Sequence, residues 1–261
     1  MILLTVSDFV HFGSELNHLI IDLSVSKYMK NILVTFDIDS TLLKTLQSSP
    51  HNRALQHALK EMFGVDERPA VYLNVSFSGC SDEWIVNELI KKATNSQTAE
   101  KKLRDKFVEI SEKIFPDLLK QEDLIILPGI ENLLENLRSH SNVTTAVCSG
   151  NLTNIGWMKI ERSGLGKYFP EKASGWGEFE DRADILRAGI KSAEEKTGKK
   201  FDKIIHIGDA PQDVKAAHDV NAKAVAVKTG RYKDDDFEQP CLIVDNAEIG
   251  YQKIVDFIFS E

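Results

Sequence analysis

The chain has 261 residues, 42% of them hydrophobic and 28% charged, and carries a formal net charge of −8. This length suits one large α/β domain or a core with a smaller insertion, and the balance argues against a disordered or membrane-spanning chain. The acidic excess argues against a general nucleic-acid binder, because neutralising phosphates takes a basic face.

Residues 1–28 are moderately apolar but interrupted by Asp8, His11, Glu15, His18 and Asp22. With no basic leader and no apolar run of spanning length, they read as a peripheral extension, neither signal peptide nor membrane helix. Within them, Leu16, Leu19, Ile20 and Leu23 share one face of a possible amphipathic helix. A compact domain is expected from Met29 onward.

The first strand is ILVTF (32–36), rich in β-branched residues and followed at once by Asp37 and Asp39. Residues 49–124 break the rhythm. They contain charged, helical stretches such as NRALQHALKEMFG, SDEWIVNELIKKA and AEKKLRDKFVEISEKIF, with no strong strand run between them. This predicts a helical insertion after the first strand.

Beyond it, Ile130, Leu133, Leu134 and Leu137 repeat at helical spacing, then VTTAVC (143–148) reads as a second strand. A helix over NLTNIGWMKIERS ends near Gly164, and another over DILRAGIKSAEEKTG ends on Gly198. Strand KIIHI (203–207), a helix closing at Asn221, and strands AKAVAV (222–227) and CLIV (241–244) follow. Alternation of this kind predicts a parallel sheet with helices on both faces, a doubly wound, Rossmann-like core built from residues 29–48 and 125–261. Cys80, Cys148 and Cys241 are odd in number and share no ligand spacing, which points to a reducing, cytoplasmic setting without disulfides.

In open parallel sheets, ligands bind outside the carboxyl ends of the strands. Those ends are followed here by Asp37-Ile38-Asp39-Ser40-Thr41, by Ser149-Gly150-Asn151, and by Gly208-Asp209-Ala210-Pro211-Gln212-Asp213. Carboxylates gathered at one edge repel unless a cation sits among them. An oxygen-only donor set without clustered cysteine or histidine suits Mg²⁺. A carboxylate can then attack a phosphoryl group held in line, and a second one can protonate the leaving oxygen. Ser40, Thr41, Ser149, Gly150 and Asn151 offer hydroxyl or backbone N–H groups for phosphate oxygens. Taken singly, each stretch also reads as an ordinary turn with a helix cap.

The segments DIDSTL, VCSGN and IGDAPQD, in that order and each after a strand, resemble the haloacid dehalogenase superfamily of phosphohydrolases. LPGIENLLENL, SGLGKYF and AHDVNAKAVAVKTG are similar to its phosphoglycolate-phosphatase-like branch, which carries a helical cap after the first motif. The resemblance spans about residues 31–245. It implies Asp37 as a nucleophile forming an aspartyl-phosphate and Asp39 as general acid/base. It implies Ser149 on the phosphoryl group and Mg²⁺ held by Asp37, the Asp39 carbonyl and Asp209, with Asp213 in support. Asp39 argues for phosphate-ester hydrolysis, since the dehalogenase and phosphonatase branches lack this second aspartate.

Two departures from the family stand out. Ser40 occupies a position where glycine is commoner, and the lysine-proline pair of the third motif is absent from GEFEDRADIL. Arg182 is the nearest cation there, expected to clamp phosphate bidentately, with Lys159 and Lys172 as alternatives. Within the insertion, Ser78, Cys80, Ser81 and Trp84 are candidate substrate-reading residues, against a plainer reading of Ser81 as an N-cap and Trp84 as packing. His206, Trp157 and Trp176 read as core residues. The expected protein is a Mg²⁺-dependent phosphatase acting on a small phosphorylated metabolite, as a monomer or homodimer, without nucleic-acid or membrane partners. A phosphomutase using the same intermediate, or a non-catalytic binding protein on the same scaffold, are the alternatives.

Overall fold

The computed structural model describes residues 30–45, 49–120 and 123–260, so the extension expected over 1–28 lies outside the described residues. Among the described residues eight strands occur in chain order: β1 (Ile32–Phe36), β2 (Leu43–Thr45), β3 (Leu124–Ile126), β4 (Val143–Cys148), β5 (Ser174–Gly175), β6 (Lys203–Gly208), β7 (Lys223–Val227) and β8 (Leu242–Val244). Between β2 and β3 run α1 (Pro50–Phe63), α2 (Pro69–Leu73), α3 (Asp82–Thr94) and α4 (Lys101–Leu118). After β3 come α5 (Ile130–Arg138), α6 (Thr153–Arg162), α7 (Arg182–Thr197), α8 (Pro211–Asp219) and α9 (Tyr251–Phe259).

Six strands form one sheet in the order β5-β4-β1-β6-β7-β8, every neighbouring pair parallel. All five residues of β1 are buried, because a central parallel strand is covered on both faces. One face packs Val34, Phe36, Ile205 and Ile207 against Leu133 and Leu137 of α5 and Ile254 and Ile258 of α9. On the other, Ala224 and Ala226 meet Ala183 and Leu186 of α7 and Val214 and Ala217 of α8. Small alanines there let both helices approach the sheet closely.

Register sets the site. Phe36 is level with Val147 of β4 and with Ile207 of β6. The residues that follow, Asp37, Cys148-Ser149 and Gly208-Asp209, therefore emerge side by side at one edge.

The inserted helices bury their own apolar cluster, Leu55, Leu59, Ile85, Val86, Leu89, Ile90 and Phe107 among them. Local signals start and stop them. Ser49 Oγ accepts the Asn52 N–H, Pro50 occupies the first turn, and Gly64 ends α1 at φ +72°. Strands β2 and β3, unexpected from sequence at three residues each, pair antiparallel and tie the two ends of the insertion together. Two-residue β5 was likewise beyond the pattern. The helix expected over NLTNIGWMKIERS runs Thr153–Arg162, with Gly164 at φ +81° just after it. Among the described residues no helix is long and apolar enough to cross a membrane.

Helix α6 is pinned by two tryptophans. Trp157 and Trp176 pack edge to face with centroids 5.2 Å apart, and a Cβ on Gly156 would lie 2.1 Å from the Trp176 ring. Glycine is required by that close approach. Gly156→Ala should cost about 1–3 kcal/mol of stability through overpacking, read as a lowered denaturant midpoint with unchanged slope.

Candidate active site

Asp37 is buried at the end of β1, and its N–H still donates to the Ile207 carbonyl at 3.0 Å. Ile38 turns fully inward, which leaves Asp37 and Asp39 on the same side of the chain, both lining the cavity described below. Ser40 then adopts φ +63°, the left-handed region where glycine is at ease, and its N–H donates to the Leu43 carbonyl at 2.7 Å. The family's preference for glycine at this turn thus has a backbone reason, and serine tolerates it at about 1–2 kcal/mol. The Thr229 hydroxyl donates to the Ser40 carbonyl from the loop after β7.

The turn after β4 brings Ser149, Gly150 and Asn151 alongside. Asn151 Nδ2 donates both to Ser149 Oγ at 2.8 Å and to Asp39 Oδ2 at 2.9 Å. After β6, Asp213 in the first turn of α8 accepts the Ala210 N–H at 3.0 Å, closing the loop that presents Asp209. His206, buried in β6, bonds Thr35 Oγ1 at 2.8 Å and lies 3.4 Å from Asp213 Oδ1, so it is a partnered core residue that braces the site.

Two cations enter from different helices. Arg182 is the first residue of α7, and its Nη2 lies 2.9 Å from Asp37 Oδ1 and 2.5 Å from Asp213 Oδ1. Its Nε also donates to Asp213 Oδ1 at 2.6 Å. Lys159, on the inward face of α6, is 1% exposed, and its Nζ donates at 2.6 Å to both Asp39 Oδ2 and Asn151 Oδ1. Lys172 stands apart: its side chain is 62% exposed and pairs with Glu161. Of the three cations raised by the sequence, two reach the site.

The carboxylates differ in what their surroundings do to them. Burial pushes Asp37 up, with Arg182 opposing and Asp213 and Asp39 adding to the rise. Burial also acts on Asp39, but the Lys159 charge and hydrogen bond more than offset it and hold the carboxyl below its ordinary value. Asp213 is likewise driven down: burial raises it, but Arg182, His206 and the Ala210 N–H together outweigh that. Asp209 is pushed up to about 8, first by burial and then by the charges of Asp37 and Asp213. It forms no ion pair with a described residue, whereas Asp37 and Asp213 share Arg182 and Asp39 has Lys159.

One oxygen each from Asp37, Asp209 and Asp213 lie within 4.8 Å of one another. Hard oxygen donors, this spacing and an uncompensated Asp209 fit a small dication. Asp213 already spends its oxygens on Arg182 and Ala210, so Asp37 and Asp209 are the freer donors.

The acidic edge forms the floor of a cavity of about 400 Å³. Asp37, Asp39, Ser40, Ser149, Gly150, Asn151, Arg182 and Asp209 line it from below. From the insertion, His51 of α1 and Phe77, Ser78 and Cys80 of the loop between α2 and α3 line its other side. Thr41 does not line it; its hydroxyl is buried behind the wall, without a hydrogen-bond partner among the described residues. Ser81 serves as the α3 N-cap, accepting the Trp84 N–H at 3.3 Å, and Trp84 packs in the inserted cluster. The insertion is fastened to the floor: Asp82 N–H donates to the Gly150 carbonyl at 2.7 Å, while Asp82 Oδ2 accepts the Leu152 N–H at 2.6 Å.

The haloacid dehalogenase-like hydrolase family model matches residues 34–227. A phosphoglycolate phosphatase from Synechococcus elongatus is 26% identical over 202 residues, covering 76% of this chain and 84% of that protein. Among solved structures, a β-phosphoglucomutase from Clostridium difficile superposes with a TM-score of 0.62 at 18% identity, over 88% of this chain and 97% of its own. A hydrolase from Pseudomonas syringae gives 0.60 at 18% identity, over 87% and 99%. These likenesses at low identity concern the fold. With motifs, sheet order and family match in agreement, the chain belongs to the haloacid dehalogenase-like hydrolases.

Proposed function

We propose that this hydrolase is a Mg²⁺-dependent phosphatase acting on a small phosphomonoester, of the phosphoglycolate or sugar-phosphate class, through an aspartyl-phosphate on Asp37. The observation that carries this reading is the carboxylate cluster on the floor of a half-open cavity, where Asp37 and Asp213 share one cation and Asp209 has none among the described residues. The phosphoglycolate phosphatase relative supports the substrate class.

In this reading an Asp37 oxygen attacks phosphorus, and the leaving oxygen takes a proton from Asp39. Asp39 then accepts a proton from water, whose oxygen displaces Asp37 from phosphorus. Arg182 holds Asp37 in line and balances part of its charge. Ser149 Oγ and the backbone N–H groups of the Ser149–Asn151 turn receive phosphoryl oxygens, as the opposing sign of donor and oxyanion favours. Mg²⁺ held by Asp37, Asp209 and the Asp39 carbonyl would supply neutralisation of the phosphoryl charge. The helices over 50–118 act as a cap that excludes water and shapes the leaving-group side. The three free thiols support a reducing, cytoplasmic setting.

Phosphate release should appear from members of a phosphorylated-metabolite panel with Mg²⁺ and vanish on chelation. Asp37→Asn should lower turnover by at least about a thousandfold, as loss of a nucleophile does, with circular dichroism unchanged; near-native Mg²⁺-dependent hydrolysis by that variant would exclude the mechanism.

Asp209 gives a separate prediction on the metal-free protein. Its folded value of about 8 lies above the usual carboxylate value, so the native state holds a proton that the unfolded chain has already lost. Stability from this group is full below about pH 4 and is lost as pH rises toward 8, at up to about 1.4 kcal/mol per pH unit. The melting temperature with chelator should therefore fall between pH 6 and 8, and Mg²⁺ should raise it more at pH 8 than at pH 6. Equal Mg²⁺ shifts at both values would contradict the assignment.

A further inference from the structure

Lys159 has no part in the scheme above, yet it is a fully buried lysine, a costly group unless its charge is matched and its protons are placed. Both conditions are met by Asp39 Oδ2 and Asn151 Oδ1, each 2.6 Å from Nζ. Asn151 Nδ2 donates to the same Asp39 oxygen at 2.9 Å, so lysine, asparagine and aspartate close a triangle.

We propose that Lys159 is the positioning residue for the acid/base aspartate, fixing Asp39 by Oδ2 so that Oδ1 is the atom that carries the proton. The inference rests on the reading of Asp39 given above. Two donors occupy Oδ2, while Oδ1 has no hydrogen-bond partner among the described residues. The Asp39 side chain is 44% exposed toward the cavity, so packing alone does not hold it in one rotamer. The anchor itself is rigid. Ile155 and Met158 of α6 pack against Phe115 and Leu119 at the end of α4, and Ile160 enters the main core. Arg162 Nη1 donates to the Pro116 carbonyl at 3.0 Å one turn further on. Lys159 thus projects from a helix held on two sides. Arg182 cannot substitute, being committed to Asp37 and Asp213.

In the first step the bond from Asp37 oxygen to phosphorus forms and the bond from phosphorus to the leaving oxygen breaks. Asp39, ionised beside Lys159, takes a proton on Oδ1 from the bound phosphomonoester monoanion and passes it to that oxygen, which departs as an alcohol. Asp39 is left as a carboxylate against the Lys159 ammonium. In the second step water gives its proton to Oδ1, its oxygen bonds phosphorus, and inorganic phosphate leaves Asp37.

A leaving group that needs no proton separates this role from a structural one. The ratio of kcat/KM for the best alkyl phosphate of the panel to that for 4-nitrophenyl phosphate is measured with Mg²⁺ in the native chain, Lys159→Met, Asp39→Asn and the double variant. Removing a positioned general acid costs about a hundredfold or more on a poor leaving group. Lys159→Met should therefore lower the ratio at least tenfold by that scale, with KM for 4-nitrophenyl phosphate little changed. The double variant should show no lower ratio than Asp39→Asn alone, since the two act as one unit. An unchanged ratio in a Lys159→Met protein with a cooperative melting curve overturns the proposal, as does an additive loss in the double variant. Should Lys159→Met fail to fold, Lys159→Gln, neutral and of similar length, carries the same comparison. An unchanged ratio in Asp39→Asn removes instead the acid/base reading on which this rests, and no hydrolysis of either substrate by the native chain removes the phosphatase reading.

Discussion

The structure depends on an imbalance of charge packed into a small volume. Asp37, Asp39, Asp209 and Asp213 meet at the carboxyl edge of the sheet, and Arg182 and Lys159 are the two cations bonded to them. Like charges at such distances repel by several kcal/mol in a poorly solvated setting, and nothing in ordinary packing repays it. The cations do not remove the excess; they sort it. Asp39 and Asp213 are held well ionised, whereas Asp37 and Asp209 are left pushed upward. A fold shaped only for stability has no reason to leave Asp209 without a counter-ion among the described residues while Asp37 shares its cation with Asp213; the proposed site for a dication beside a phosphate does.

That sorting is a product of register. Three strands level at Phe36, Val147 and Ile207 end together, and each is followed by a tight turn whose side chains must face the same opening. The turns themselves are wired to one another: Ser40 through Thr229, Asn151 through Asp39, and Asp37 through Arg182 to Asp213. A shift in any one turn would therefore disturb the others. The inserted helices join the same network through Asp82, which grips both the Gly150 carbonyl and the Leu152 N–H. The position of the inserted helices and the placement of the Ser149–Asn151 turn are in this way tied to each other.

Much of this was legible in the sequence, because buried parallel strands announce themselves as short β-branched runs and the polar residues after them have one edge to occupy. β1 and β4 match their expected runs residue for residue, and the acidic residues follow as expected. Strands β2, β3 and β5 were not legible: at two or three residues they carry too few side chains to establish a period. Thr41 was grouped with the phosphate ligands from its place in the motif, but the left-handed turn at Ser40 carries it behind the wall. Lys159 entered only as one of three cations. Its signal was available, since it falls one turn after Ile155 and two after Leu152, on the apolar face of α6, where a solvated lysine does not belong. What the pattern could not supply was the partner, because Asp39 lies 120 residues away.

The missing lysine-proline pair finds its account in the geometry of guanidinium. A single ammonium is a point charge that serves one carboxylate well; a planar fork spans two. Arg182 bridges Asp37 and Asp213 with Nη2 and Nε, which join the end of β1 to the first turn of α8. Its position as the first residue of α7 matters, since there it departs from a helix start capped by Asp181, which accepts the Ala183 N–H at 2.8 Å. Asp39, out of that fork's reach, needs a cation of its own, and the inward face of α6 is the element that can present one. Spreading positive charge over two helices leaves each aspartate with a distinct environment, and the proposed chemistry, in which one carboxylate attacks while its neighbour exchanges a proton, needs that distinction.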